Sequence, residues 1–278
     1  ILVGYHKPAT LLKSEILVPI HLGRAVMNEQ SKDAGLSNDD KEWLLSNMIG
    51  DDTGDNISYL NRYFCEMTGI YWAWKNYDNL GNPEYFGFMH YRRHFLFKNE
   101  VCLDVNTDVK YFNSISNEYL SYCCIFDNDK ICKLLLECDI VHVAEYYGKT
   151  VYNQFNEDLC NEKYGLDSKI WDLFIDLFLQ KFPHEKELFF NFLSTNKHVW
   201  YNMFIFKKSI FMSFCSWVFP VLFDLFDSIK CKELDVKGMR IIGFIAERLM
   251  SYYIFKHKND YKVKKFQISF IMNTEIMQ

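Results

Sequence analysis

Apolar residues along this chain follow two rhythms. Short unbroken runs with β-branched or aromatic members read as buried strands: ILVG from Ile1, YFGFM from Tyr85, CDIVHVA from Cys138 and WYNMFIF from Trp200. Longer segments repeat every three to four residues and read as helices. In the stretch from Leu60 to Trp74, Leu60, Phe64, Met67, Tyr71 and Trp74 fall on one face of a single continuous helix. From Ser168 onward the pattern is mostly helical, through IWDLFIDLFLQKF, EKELFFNFL, SIFMSFCSWVF, PVLFDLFDSIK and MRIIGFIAERLMSYYIF. Strands alternating with helices predict an α/β chain whose C-terminal half is largely helical.

Breakers and caps divide these runs. Pro8 ends the first strand and leaves His6 and Lys7 at its C-terminal edge. Pro19 and Gly23 interrupt the apolar patch from Ile16 to Ala25, which predicts an irregular loop along that edge. Asn38, Asp39 and Asp40 cap a helix carrying Trp43, Leu44 and Met48, and Gly50 stops it. Beyond His94-Phe95 a poorly periodic region runs to Asn128 and reads as a packed insertion, and Tyr146 to Leu159 as a loop carrying polar residues over the pocket. YKVKKFQISFI alternates as an edge strand with its lysines outward.

Composition narrows the classes. A chain of 278 residues, 49% hydrophobic with five prolines, supports one domain spanning residues 1–278. A net charge of -5 argues against a general nucleic-acid binder while leaving room for a local phosphate pocket. The nine cysteines lack CxxC spacing and read as reduced thiols of a cytoplasmic protein. No signal-peptide pattern precedes the first strand, and the longest uncharged run, Ile210 to Phe223, contains Pro220 and falls short of the ~20 residues of a membrane span. The lysines at 256, 258, 262, 264 and 265 form a basic face able to touch anionic lipid at the inner surface of a membrane.

Candidate chemistry concentrates between Gly50 and Arg93. GDDTGDNIS packs Asp51, Asp52, Asp55, Asn56 and Ser58 at a helix start; one such residue suffices for a cap, so the rest suggest phosphate or sugar hydroxyls as ligands. His90-Tyr91-Arg92-Arg93 ends an apolar strand. Guanidinium groups bind phosphate oxygens bidentately and could neutralise a leaving diphosphate without a metal. On a strand, adjacent arginines point to opposite faces, so both reach one pocket only if the strand has already ended. Tyr71, Trp72 and Trp74 read as core. Glu247-Arg248, inside an apolar helix, is either a structural ion pair or a catalytic carboxylate with its partner, and His142, His184 and His198 do not read as ligands.

GDDTGDNIS, CEMTGIYWAWKN, YFGFMHYRRHF, CDIV, YNMFIFKKSIF and RIIGFIAERL, in this order, resemble the motifs of the bacterial family known as domain of unknown function 4422. The resemblance implies capsule, exopolysaccharide or O-antigen glycosyltransferases, some using UDP-galactofuranose. It also implies a GT-A-like, Rossmann-related domain with a mostly parallel central sheet. Many such enzymes hold manganese or magnesium on an Asp-x-Asp motif; here His90, Arg92 and Arg93 stand at the strand end instead, so no metal ligand is assigned. The expected donor site comprises His6, Lys7, the Asp51–Ser58 loop, His90, Arg92, Arg93 and Asn202, with Glu247 or Asp158 deprotonating a saccharide or lipid-linked saccharide acceptor. One rival is a metal-dependent phosphoesterase with Asp51, Asp52 and Asp55 as ligands. The other is a non-catalytic carbohydrate-binding module whose aromatics stack on sugars.

Overall fold

A computed structural model describes residues 1–29, 35–101, 109–160 and 164–274. Among the described residues eleven strands form: β1 (Leu2–Tyr5), β2 (Val18–His21), β3 (Ile49–Gly50), β4 (Tyr85–His90), β5 (Arg93–Glu100), β6 (Lys110–Phe112), β7 (Ile140–Val143), β8 (Tyr146–Tyr147), β9 (Lys197–His198), β10 (Phe204–Lys207) and β11 (Val263–Ile271). The α-helices among the described residues are α1 (Asn38–Asn47), α2 (Asn61–Phe64), α3 (Met67–Lys75), α4 (Asn117–Cys123), α5 (Asn128–Leu135), α6 (Val151–Asn153), α7 (Ser168–Lys181), α8 (Lys186–Leu193), α9 (Lys208–Ile229) and α10 (Ile241–Lys256).

The sheet is mixed, not mostly parallel. One wing, β3-β2-β1-β4, is parallel. The other strands close a ring, β4-β10-β7-β11-β5, whose last pairing, β5 on β4, is the single pair His90 with Arg93. Antiparallel pairing is forced there, because only Tyr91 and Arg92 separate β4 from β5, and parallel strands need a long crossover. All the ring strands, whatever their direction, bring an end to the same edge: β4 its C-terminus, β5 and β10 their N-termini.

Several elements differ from their sequence-based expectation. The Ile16–Ala25 patch contains a true strand, β2, with Pro19 inside it. Val18 and Leu22 donate their N–H groups toward β1, so the nitrogen of Pro19 faces the other side, where β3 reaches only Ile20 and His21. The residues after His94 form β5 rather than an insertion, with Phe95, Leu96 and Phe97 all buried because the ring covers both faces. β11 is interior, flanked by β5, β6 and β7, and its lysines are paired: Lys264 with Glu100 and Glu137, Lys265 with Glu145. With Lys256 held by Glu185, three of the five lysines of the supposed basic face carry a counter-charge. Tyr146–Leu159 is largely helical, ending in a wide turn over Gln154–Leu159. Helix α9 runs unbroken through Pro220, and its outer stripe of Ser213, Ser216, Asp224 and Asp227 is exposed while its other side packs into the core.

The central aromatic helix is broken in two at Cys65 (φ 50, ψ -130). Asn61 supplies the compensation, its amide donating to the Cys65 carbonyl at 2.9 Å and to Thr68 at 3.0 Å. Gly243 of α10 packs into the break, where a Cβ would lie 2.9 Å from the Cys65 sulfur. The apolar face survives the break, with Leu60, Phe64, Met67 and Tyr71 all buried. Among the described residues the eight cysteines are free thiols; Cys102 lies outside them.

Candidate active site

A cleft of about 730 Å³ opens where the ends of β1, β2, β4, β5 and the approach to β10 meet α2 and α10. Ligands of open α/β sheets bind at such strand ends, where the backbone is unpaired and side chains converge without disturbing the core.

His6 and Lys7, just past β1, both line it, as do His90, Arg92 and Arg93. Because β4 stops at His90 and Tyr91–Arg92 make the turn, the two arginines share one cavity. Arg93 lies 4.7 Å above the Tyr201 ring and 5.1 Å from Phe270, and Arg92 lies 5.0 Å from Phe270. Among the described residues neither arginine forms an ion pair, and Nε of Arg93 is buried without a hydrogen-bond partner. Such a group is poised for an anion rather than satisfied by the protein. His90 donates from Nε2 to the Tyr201 carbonyl at 2.7 Å; burial and the Arg93 charge push it down to about 3, so it is a neutral donor and not a cation.

The floor is a strained turn. Tyr201 (φ 74) and Asn202 (φ 50) both adopt left-handed backbone that ordinary residues avoid. The turn is gripped from three sides. His90 holds the Tyr201 carbonyl, the Glu247 carboxylate accepts the Tyr201 N–H, and the Asn202 amide donates to Glu66 at 2.8 Å. Asn202 is 1% exposed and sits behind the cavity wall. Glu247 does line the cleft, but its second oxygen is taken by Arg248, whose guanidinium also reaches Gln154 at 2.6 Å. Burial pushes the Glu247 carboxyl above its ordinary range despite Arg248 beside it.

The acidic loop lies behind the cleft, and none of its candidate residues lines it. Asp51 is fully buried and accepts hydrogen bonds from Gly23 N–H (2.8 Å), Arg24 N–H (3.1 Å), Ser58 (2.5 Å) and Thr68 (2.6 Å). It ties the turn after β2, where Gly23 has φ 66, to Ser58 ahead of α2 and to Thr68 of α3. Asp52 lies 3.9 Å from Arg24, Asp55 accepts from Tyr71, and Asn56 closes its own turn onto Gly54 and Ser58. Asp158 is half-buried and bonded to Lys149 at 2.6 Å. The three aspartates do not converge, and among the described residues no cluster of His, Cys, Asp or Glu could hold a metal ion. With two guanidinium groups at the strand end, these residues do not fit a divalent cation.

Sequence reasoning missed Glu66, Arg62, His21, Gln154, Trp200, Tyr201 and Arg240, all of which line the cleft. Only the Tyr201-Asn202 pair in YNMFIF carried a signal, since asparagine tolerates left-handed backbone and often marks a turn.

The fold finds a counterpart in the bifunctional glycosyltransferase WbbM in its apo form. It matches 99% of this chain with a TM-score of 0.80 at 29% identity, so the chain has the α/β architecture of a glycosyltransferase while covering 45% of that protein's length. The chain belongs to the family described as a domain of unknown function, DUF4422, whose model matches residues 1–259. No curated protein matches it significantly.

Proposed function

We propose that this chain is a nucleotide-sugar-dependent glycosyltransferase, moving a hexose, with galactofuranose the first candidate, from a UDP-sugar to a saccharide or lipid-linked saccharide of a bacterial surface polysaccharide. The observation that carries this reading is the pair Arg92 and Arg93, which form no ion pair among the described residues and line a cleft large enough for a nucleotide sugar. The likeness to a glycosyltransferase over 99% of the chain supports it.

In this reading the diphosphate lies against Arg92 and Arg93, where negative charge grows as the sugar leaves, and their fixed charge stabilises the transition state more than the ground state. Lys7 and His6 extend the basic edge toward the nucleoside. His90 contributes by holding the Tyr201 turn, because its N–H is already spent there. Tyr164 and Phe244 line the helical end of the cleft, where an aromatic surface suits the acceptor, whereas the Trp200 ring is already stacked on His198 and faced by Arg248. The Asp51–Ser58 loop acts indirectly, by fixing the turn at Gly23 that borders the cavity. Such a reaction belongs in the cytoplasm, and at the inner face of the membrane when the acceptor is lipid-linked.

A thermal-shift panel of nucleotides and UDP-sugars, with and without manganese, tests the reading. UDP at a hundredfold excess over its Kd should stabilise the fold by about 2.7 kcal/mol without metal. Absence of a shift with every nucleotide would overturn it, and stabilisation by manganese alone would favour the phosphoesterase.

A further inference from the structure

We propose that Glu66 is the general base that deprotonates the acceptor hydroxyl; this rests on the glycosyl-transfer reading above. Four carboxylates line the cleft among the described residues: Glu29, Asp40, Glu66 and Glu247. Three have structural work. Asp40 closes the capping box of α1 with Ser37, Glu29 lies beside Arg62 at its exposed rim, and both Glu247 oxygens are bound, one by the Tyr201 N–H and one by Arg248. Glu66 has one oxygen oriented by the buried Asn202 amide at 2.8 Å, and the other has no hydrogen-bond donor among the described residues. A base needs this combination: one oxygen that fixes the carboxylate and one free to take a proton.

The chain builds this arrangement at some cost. Glu66 follows the break at Cys65, which turns it off the buried face kept by Phe64 and Met67, and the paired left-handed residues Tyr201 and Asn202 aim the amide at it. Strained backbone concentrates at functional sites for this reason. Glu66 also lies near enough to Arg93 for their charges to interact, which puts the base beside the proposed diphosphate site.

The step is a single displacement. The acceptor oxygen bonds to the anomeric carbon as its proton passes to Glu66, and the bond from that carbon to the diphosphate oxygen breaks with its electron pair leaving on UDP. The anomeric configuration inverts.

Glu66→Gln keeps the carbonyl oxygen that accepts from Asn202, so the turn is retained while the proton acceptor is lost. The test measures UDP release from UDP-glucose, UDP-galactose and UDP-galactofuranose with an alkyl galactoside acceptor, alongside UDP binding, for wild type, Glu66→Gln and Glu66→Asp. Expected are a loss of about 100-fold or more in kcat for Glu66→Gln, partial activity for Glu66→Asp, and UDP affinity within about threefold of wild type for both. A Glu66→Gln variant that turns over at wild-type rate, or a product that retains configuration, overturns the assignment and leaves the transferase reading intact. A wild type that neither binds UDP nor releases it from any donor overturns both.

Discussion

Arg92 and Arg93 share a cavity because the chain turns between them, and that turn also closes the ring of strands through the His90 and Arg93 pair. The motif was legible in the sequence; the way it works was not, since strand alternation alone would have sent the two side chains to opposite faces. Glu66 was illegible for a related reason, and Tyr201 was marked only by the asparagine that follows it. Glu66 sits in a helical pattern that gives no sign of the break at Cys65, and the Tyr201 turn is hidden in an apolar run. Asp51 illustrates the opposite error: a dense acidic loop suggested a ligand, and its carboxylate is consumed by four donors of the protein itself. Residues of this kind also set the pH response. His21 and His94 are buried and held neutral, pushed down to about 4 and about 3. Their unfolded forms take up protons below pH 6.5 while the folded forms do not, so the stabilisation is complete above that pH and is lost as pH falls toward those values. Urea denaturation at pH 6 and pH 5 should show a His94→Asn variant whose stability falls less steeply than that of wild type, by about 1 kcal/mol per pH unit. Equal slopes would mean that His94 titrates normally.

At the scale of elements, the parallel wing and most helices follow directly from apolar runs and period. The misread elements are those whose environment depends on distant partners. β5 reads as irregular because both its faces are covered by the ring, and β11 reads as an edge because its lysines look solvated when they are in fact paired with Glu100, Glu137 and Glu145. The contact between α10 and the break before α3 gives a prediction in which two effects oppose. Alanine in a helix interior normally gains about 1 kcal/mol over glycine. At Gly243 the added Cβ would meet the Cys65 sulfur at 2.9 Å and its Cβ at 3.0 Å, and overpacking costs typically ~1–3 kcal/mol. Gly243→Ala should therefore lower the urea midpoint, and a raised midpoint would show that the break yields without strain.

For the molecule as a whole, the mixed ring matters because it gathers strand ends of both directions at one rim. A purely parallel sheet would offer β1, β2 and β4; the antiparallel strands add Arg93 at the start of β5 and the Tyr201 turn ahead of β10. The helical half supplies the opposite wall through α10, where Glu247 and Arg248 form a buried pair that holds the floor in place. Removing one member of such a pair strands its partner's charge, so Glu247→Gln should cost about 3–5 kcal/mol in urea denaturation, against a near-neutral effect if the pair were solvated. Diphosphate binding at this rim through Arg92 and Arg93, as proposed, is tested most directly by calorimetric titration of UDP into wild type and into Arg92→Met and Arg93→Met variants. A charge-assisted hydrogen bond contributes about 1.5–3 kcal/mol, so each variant should weaken UDP by roughly 10-fold or more with its thermal stability preserved. UDP affinity unchanged by both substitutions would mean that the arginines do not hold a diphosphate.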